Sequence, residues 1–358
     1  MGVIVLAFSS CGGYDDSALI GFPFTQVGDV SLKDVTQKME LLDIASPVSQ
    51  VVFLDSVVIY HNFRNSQFLF EVSDSRTDSL IGFFCRRGRA ENEFIEALPK
   101  MDIVRAGDSL KGWFHQYYDK YRFILWDISE SLKKGMTIYD RIVPVAKDEK
   151  DGSPLVAFSY HWLPEDKMFV YNSRQNARKD WMVEPPTYEL YDLSTNTREQ
   201  VYHPFNLYVE DDQGDNASIR SKTFLSLTDC IKPSRDKVAF GMYFIPYLGV
   251  IDPRTGETKG IRMKGYPGLN LKEKYYHFYD IQADDNYIYA LYAGTPADRI
   301  GEDTSAKIMV FTWDCELVAE LKVGSISGIS LDGDKMYLFN HKYSKYYRIN
   351  IEDLAIPL

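Results

Sequence analysis

Nowhere in the 358 residues does an apolar run reach the ~18 to 20 residues that a bilayer-spanning helix requires, so no transmembrane helix is expected. Basic clusters are equally scarce. No stretch of five Lys or Arg occurs, and 40 basic against 51 acidic side chains leave a formal net charge of -11. A protein that grips a phosphate backbone needs a basic stripe, and nucleic acid is therefore excluded as a partner. The four cysteines, Cys11, Cys85, Cys230 and Cys315, lie far apart with no CxxC pair, which argues against a zinc site and against a dense disulfide framework. The last three sit in apolar, strand-like contexts such as "IGFFCRR" and "FTWDCEL". Buried free thiols are expected there, with one disulfide among them as the alternative. GxSxG, HExxH, a Gly-rich phosphate loop and an Asp-box are all missing, so no catalytic residue, metal ligand or cofactor is assigned.

Aromatic side chains are abundant: 25 Tyr and 21 Phe contribute to an aromatic share of 14%. Such residues suit strands whose side chains alternate between a packed and a half-exposed face. A repeat emerges at a spacing of about 50 to 70 residues. Six segments begin with a polar turn and run into an alternating aromatic strand: "DSVVIYHN", "DSLKGWFHQ", "EDKMFVYNS", "DKVAFGMYF", "DNYIYALYAG" and "DKMYLFNHK". A short apolar strand precedes each, among them "VVFL", "LVAFSY" and "FYDIQA", which places the acid in a hairpin turn. Third strands follow, as in "YELYDLSTN" and "LGVIDPRTGE", where an acid, Pro and Gly meet the needs of a tight turn. Fourth strands such as "TKGIRMK" complete the unit.

Four antiparallel strands repeated six times predict an all-β, six-bladed β-propeller over residues 20–358. One blade cannot bury both faces of its sheet, whereas a closed ring buries them against neighbours. The last unit, "SKYYRINIEDLAIPL", has no room for a fourth strand. Residues 32–44, "LKDVTQKMELLDI", are expected to supply it and so close the ring, because open end blades would invite aggregation. Tandem sandwiches would need a linker near the middle, and a parallel β-helix would have a shorter and more regular period.

Residues 1–19 read as a lipoprotein signal remnant and tether. "FSSC" resembles a bacterial lipobox, which makes Cys11 the expected site of lipid attachment and the first mature residue. "GGYDDS" then resembles the acidic tether of surface-exported lipoproteins, with Asp15 and Asp16 as its acids. A cytoplasmic protein with an apolar first strand is the competing reading. The expected location is the outer membrane, on the cell surface or the periplasmic side.

The runs "LIGFFCRRGRAENEF", "YHFYDIQADDNYIYALYAG" and "IMVFTWDCELVAELKV" resemble the TolB-like six-bladed propeller lipoproteins of Gram-negative bacteria. Gly88, Arg89, Glu93 and Phe94 match that family's turn at the end of the first blade, while Ala90 and Glu91 replace its Gly and Pro. The resemblance implies the propeller fold and a lipid anchor, and no chemistry.

Among site candidates, the six histidines, His61, His115, His161, His203, His277 and His341, do not coincide within their units, which argues against a shared metal ring. His203 and His277 read as lying between blades. "VEDDQGDN" lacks the Gly and Glu of an EF-hand and reads as a solvated loop, and "GTPADRIGEDTSA" as a long polar loop of the fifth unit. Tyr-rich runs such as "KEKYYHFYD" suit either blade packing or an aromatic platform for sugars or peptides. A small-ligand site is expected at inner-strand residues Tyr160, His161 and Trp162 in the third unit and Asp280 in the fifth. The functional expectation is a membrane-anchored, monomeric propeller that binds a protein, peptide or glycan. The alternative is a channel-centred, metal-dependent hydrolase of the lactonase type.

Overall fold

The computed structural model describes residues 16–28, 30–44, 50–54, 56–98, 100–117, 120–145, 157–172, 185–206, 225–266, 275–296, 299, 306–340 and 344–356. Cys11, Asp15, His341, the 209–216 loop and most of the 294–306 loop lie outside these residues. Three short strands come first: β1 (Phe24–Val27), β2 (Leu32–Asp34) and β3 (Glu40–Leu42). The first blade is β4 (Gln50–Leu54), β5 (Val57–His61), β6 (Phe68–Asp74) and β7 (Leu80–Arg86). The second is β8 (Asp102–Ala106), β9 (Ser109–Gln116), β10 (Arg122–Asp127) and β11 (Tyr139–Pro144). The third is β12 (Ala157–Leu163), β13 (Lys167–Asn172), β14 (Thr187–Asp192) and β15 (Thr197–Tyr202). The fourth is β16 (Leu227–Ile231), β17 (Val238–Met242), β18 (Tyr247–Ile251) and β19 (Thr258–Met263). The fifth is β20 (Tyr275–Ala283), β21 (Tyr287–Pro296), β22 (Ala306–Thr312) and β23 (Leu317–Gly324). The sixth is β24 (Gly328–Asp332), β25 (Lys335–Asn340) and β26 (Lys345–Asn350).

Each blade is an antiparallel meander, and the sheets number six, as the repeat predicts. The first strands of successive blades adjoin one another, β8 to β12 to β16 to β20 to β24 to β4, and so form the wall of the central axis. All of them run the same way. One face of the ring, called here the entry face, holds their starting ends, the links between second and third strands, and the links between blades. The opposite face holds the hairpins. Turn chemistry agrees with the sequence. Pro164, Glu165 and Asp166 make the three-residue turn between β12 and β13, with Glu165 and Asp166 in the left-handed region at φ of 67° and 61°. Asp74 and Asp192 end third strands and Asp252 directly follows one, and one carboxylate oxygen of each accepts the backbone N–H groups two and three residues on, at 2.8–3.2 Å. Gly256, at φ 75°, closes the last of these turns.

The core is divided among the blade interfaces. Six buried apolar clusters occur among the described residues, one at each junction between neighbouring blades. Between the third and fourth blades, Phe169 stacks on Tyr188 at 4.9 Å, and Phe22 and Phe205 pack edge-on against Phe240. Between the sixth and first, Phe53 lies flat on Tyr337 with ring centroids 4.2 Å apart. Edge-on and offset ring packing of this kind adds to the stabilisation from buried area. Cys85, Cys230 and Cys315 are buried free thiols in these junctions.

The N-terminal segment closes the ring and does more than the sequence suggested. β3 pairs antiparallel with β26 and so completes the sixth blade. β2 goes one blade earlier and lies parallel to β23, and β1 lies parallel to β19, so the fifth and fourth blades each carry a fifth strand. Asp16, read from sequence as a solvated tether acid, is instead buried. Its carboxylate accepts from the Arg262 guanidinium at 3.0 and 3.1 Å and from the Tyr247 hydroxyl at 3.1 Å, and Leu19 beside it is fully buried.

Two further differences stand out. His277 is not between blades but within β20, where its Nδ1 faces the Tyr292 hydroxyl at 3.1 Å. A short helix, α1 (Ile128–Lys134), interrupts the second blade after "FILWD". Asp127 caps it by accepting from the Glu130 N–H, and Gly135 ends it in the left-handed region at φ 65°. The segment from Gly88 to Phe94 is tied back by Glu93. The Glu93 carboxylate accepts from the Ala90 N–H at 3.1 Å, and buried Phe94 packs edge-on against Phe114 and Tyr139, with the Arg122 guanidinium 4.7 Å over its ring.

Candidate functional site

The axis is where the six first strands converge, and it is crossed by ion pairs. Lys100 precedes β8, and its ammonium group reaches past the third blade to Asp229 in β16 of the fourth. The ammonium donates to an Asp229 carboxylate oxygen, to the Asp229 carbonyl at 2.5 Å and to the Ser159 hydroxyl at 2.8 Å. Lysine has three donors, and these partners use all of them. The Ser159 hydroxyl donates to the same Asp229 oxygen, His161 Nε2 lies 3.1 Å from it, and the Tyr188 hydroxyl donates to the other oxygen at 3.2 Å. Burial by itself would raise the Asp229 pKa, but the charge on Lys100 and the contact with His161 outweigh it and hold the carboxylate well below its usual range. Burial pushes His161 the other way, toward the neutral form, against the pull of Asp229. An ionised carboxylate only accepts, so the proton of neutral His161 sits on Nε2.

Two more bridges cross the axis. Arg235, in the hairpin after β16, donates to Asp102 at 2.6 Å, to the Trp162 carbonyl at 2.9 Å and to the Ile103 carbonyl at 2.6 Å. Arg105 of β8 pairs with Asp332 at the end of β24 at 2.5 Å. The second blade is thus joined to the fourth across the third and to the sixth across the first. Partly buried Asp280 holds two backbone N–H groups, its own neighbour Ile281 at 2.9 Å and Ile329 of the sixth blade at 2.7 Å. Burial raises its pKa to about 6.

An aromatic group stands at the entry face between the fourth and fifth blades. Tyr243 and Phe244 lie in the link between β17 and β18, and Tyr276 lies at the start of β20; all three are half-buried. Phe244 and Tyr276 have ring centroids 5.0 Å apart, and the Tyr243 carbonyl accepts from the His277 N–H at 2.8 Å. Burial, with Asp280 nearby, pushes the Tyr243 hydroxyl up to about 12. The Asp280 and Asp229 carboxylates, in the middle of their strands, are close enough to this group to act on the Tyr243 hydroxyl. Rings held half-open next to hydrogen-bonding side chains suit a ligand with both apolar faces and hydroxyl or amide groups.

All four residues singled out from the sequence sit on first strands, Tyr160, His161 and Trp162 on β12 and Asp280 on β20. They do not gather into one cluster. Strand alternation turns Tyr160 and Trp162 toward the second blade and His161 toward Asp229 of the fourth. The Tyr160 hydroxyl donates to the Lys100 carbonyl. Sequence reasoning missed Lys100, Asp102, Arg105, Ser159, Asp229 and Arg235. A signal was present in "KMDIVRA" and "FLSLTDC", where charges occupy strands expected to be buried on both faces. Among the described residues, no three His, Cys, Asp or Glu side chains gather as a metal site.

No family model matches the chain, and no curated protein does. Solved structures do. A member of the DUF4221 family from Bacteroides vulgatus superposes with a TM-score of 0.54 at 13% identity, covering 92% of this chain and 94% of its own. A Bacteroides fragilis protein described as a "putative exported protein" superposes with a TM-score of 0.52 at 10% identity, covering 93% of this chain and 91% of its own. At such identities the likeness establishes the six-bladed propeller and nothing more specific.

Proposed function

We propose that the chain is a lipid-anchored, extracytoplasmic recognition propeller of the TolB-like kind, which takes a glycan or peptide ligand at the entry face between its fourth and fifth blades. The observation that carries this reading is the half-buried aromatic group of Tyr243, Phe244 and Tyr276 beside an axis where Asp229, Asp102 and Asp332 each hold a cationic side chain. Stacking on exposed ring faces with nearby acceptors is the usual chemistry of glycan and peptide recognition. The lipobox-like "FSSC" supports the anchor, and so does the exported description carried by the Bacteroides fragilis protein of like fold. Outer-membrane placement belongs to the same reading.

The hydrolase alternative needs carboxylates converging near the axis on one ion. Asp102, Asp229 and Asp332 each hold a cationic side chain, and Asp280 holds backbone N–H groups, so the acids point to separate partners. Two measurements test the proposal. Intact mass of the natively expressed protein should show a diacylglyceryl-modified Cys11 at the mature N-terminus; an unmodified Met1 peptide removes the anchor. Glycan and peptide arrays should yield a ligand whose affinity falls about tenfold in Tyr276→Ala or Phe244→Ala, and unchanged affinity in both variants removes the site.

A further inference from the structure

Asp16 fixes where the N-terminal segment joins the propeller. Its carboxylate sits on Arg262, one residue before the end of β19, and on Tyr247, the first residue of β18. Both positions lie at the entry face, because third strands start there and fourth strands end there. The next residues stand at the same level: the Leu19 carbonyl accepts from the Asn206 N–H at 2.9 Å, and Ile20 bridges Phe205, in the link that joins the third blade to the fourth. Cys11 precedes Asp16 by five residues, a separation that spans at most about 18 Å. β19 and the turn before it stand about as tall, so a bilayer at the hairpin face would need that segment taut along the whole blade. Aromatic side chains are also open around the entry face, on blades far apart. Phe63, in the link after β5 of the first blade, is 49% exposed beside exposed Arg64, and Phe158, at the start of β12 of the third, is 40% exposed. Half-buried Phe244 follows β17 of the fourth. Aromatic and basic side chains at one level suit the headgroup region of a bilayer.

We propose that the entry face is the side turned to the bilayer, held there by the lipid on Cys11 at the fourth blade and steadied by Phe63 and Phe158 at the first and third. This rests on the lipid anchor proposed above. The short reach from Cys11 to Asp16 keeps the face within about 18 Å of the headgroups. Tyr243 and Phe244 share their link with Tyr247, so the aromatic group opens toward the same bilayer and its ligand enters between the propeller and the lipid. The hairpin face, with its Asp-led turns, looks outward.

The natively lipidated chain on vesicles tests this, since lipidation uses up the Cys11 thiol and Cys85, Cys230 and Cys315 are buried. Two exposed positions each receive a cysteine and a fluorophore: Ser66→Cys in the entry-face link of the first blade, and Thr195→Cys in the hairpin-face turn of the third. With a headgroup-spin-labelled phospholipid in the vesicles, the Ser66→Cys label should lose most of its emission and the Thr195→Cys label almost none. Phe63→Ser should return part of the lost emission, and no return removes the contact assigned to that side chain. Equal quenching of the two labels, or quenching of Thr195→Cys alone, overturns the orientation. So does an unquenched Ser66→Cys label, which places the molecule on its fourth-blade rim. A chain that leaves the vesicles and whose intact mass shows a free Cys11 removes the anchor itself, and the orientation with it.

Discussion

Lys100 shows how one side chain can tie one blade to another across a third. Its ammonium has no donor left for a ligand, and its partner Asp229 has a fully buried side chain. Removing one member of such a pair leaves the other as an uncompensated charge, which costs far more than the pair contributes. Lys100→Ala should therefore lose about 3 kcal/mol in urea unfolding, and Asp229→Asn in the same background should recover part of that loss. Equal losses in the single and double variants would falsify the coupling. Buried histidines act on pH in the same sense as a salt-bridged carboxylate, since both lose stability as acid is added. Burial holds His61 near 4 and His115 and His277 near 3, with Arg87 adding to the effect at His61 and Arg262 at His277. The native state keeps them neutral while the unfolded chain takes protons below its ordinary histidine pKa of about 6.5. Stability from these groups is complete above that pH and falls as acid is added, by about 1.4 kcal/mol per pH unit for each histidine until its native pKa is reached. Asp280, raised to about 6, works against this between pH 6 and its ordinary value near 3.8, but it is one group against three. The unfolding midpoint in urea should hence drop between pH 6.5 and 4.5, and a flat profile would contradict neutral burial of the histidines.

At the scale of the element, close approach decides what the outer strands tolerate. Gly260 of β19 donates its N–H to the Pro23 carbonyl at 3.0 Å, next to the point where β1 pairs in parallel. A Cβ there would come within 2.5 Å of the Leu248 carbonyl oxygen and 2.7 Å of the Phe22 ring. Backbone cannot yield cheaply, so Gly260→Ala should destabilise by about 1 to 3 kcal/mol and make the segment before β1 cleavable by protease; parental resistance would count against the docked strap. Elements were the most legible level of this protein. Alternation in "VVIYH" or "KMFVYN" and the acid-led turns marked second and third strands, because pleat and turn chemistry depend on neighbours in sequence. α1 was overlooked although Asp127 and Glu130 stand at capping-box spacing before Lys133, Lys134 and Gly135. The aromatic strand "RFILW" directly before it made the stretch read as strand throughout.

The whole molecule depends on closure. β3 reaches β26 through pairs such as Tyr347 with Leu41, and Arg348 holds Glu40 at 2.5 Å, so the outermost strand of the last blade comes from near the beginning of the chain. Truncation before Ser344 removes β26 and with it the partner of β3, and should yield insoluble protein; a soluble, monomeric product with native circular dichroism would show that the ring does not need this join. The need for closure was legible from the short final unit. The detour of β1 and β2 along the fourth and fifth blades was not, since "FTQV" and "LKD" are too short to state a partner.

From its amino acids alone, this chain determined its hairpin turns and its division into six blades, since each is settled by residues a few positions apart. Only the closed ring decided that Lys100 meets Asp229, 129 positions away, and which blades the oppositely facing Tyr160 and His161 meet. Such meetings depend on where six sheets bring their inner edges together around one axis, and no local pattern carries that information.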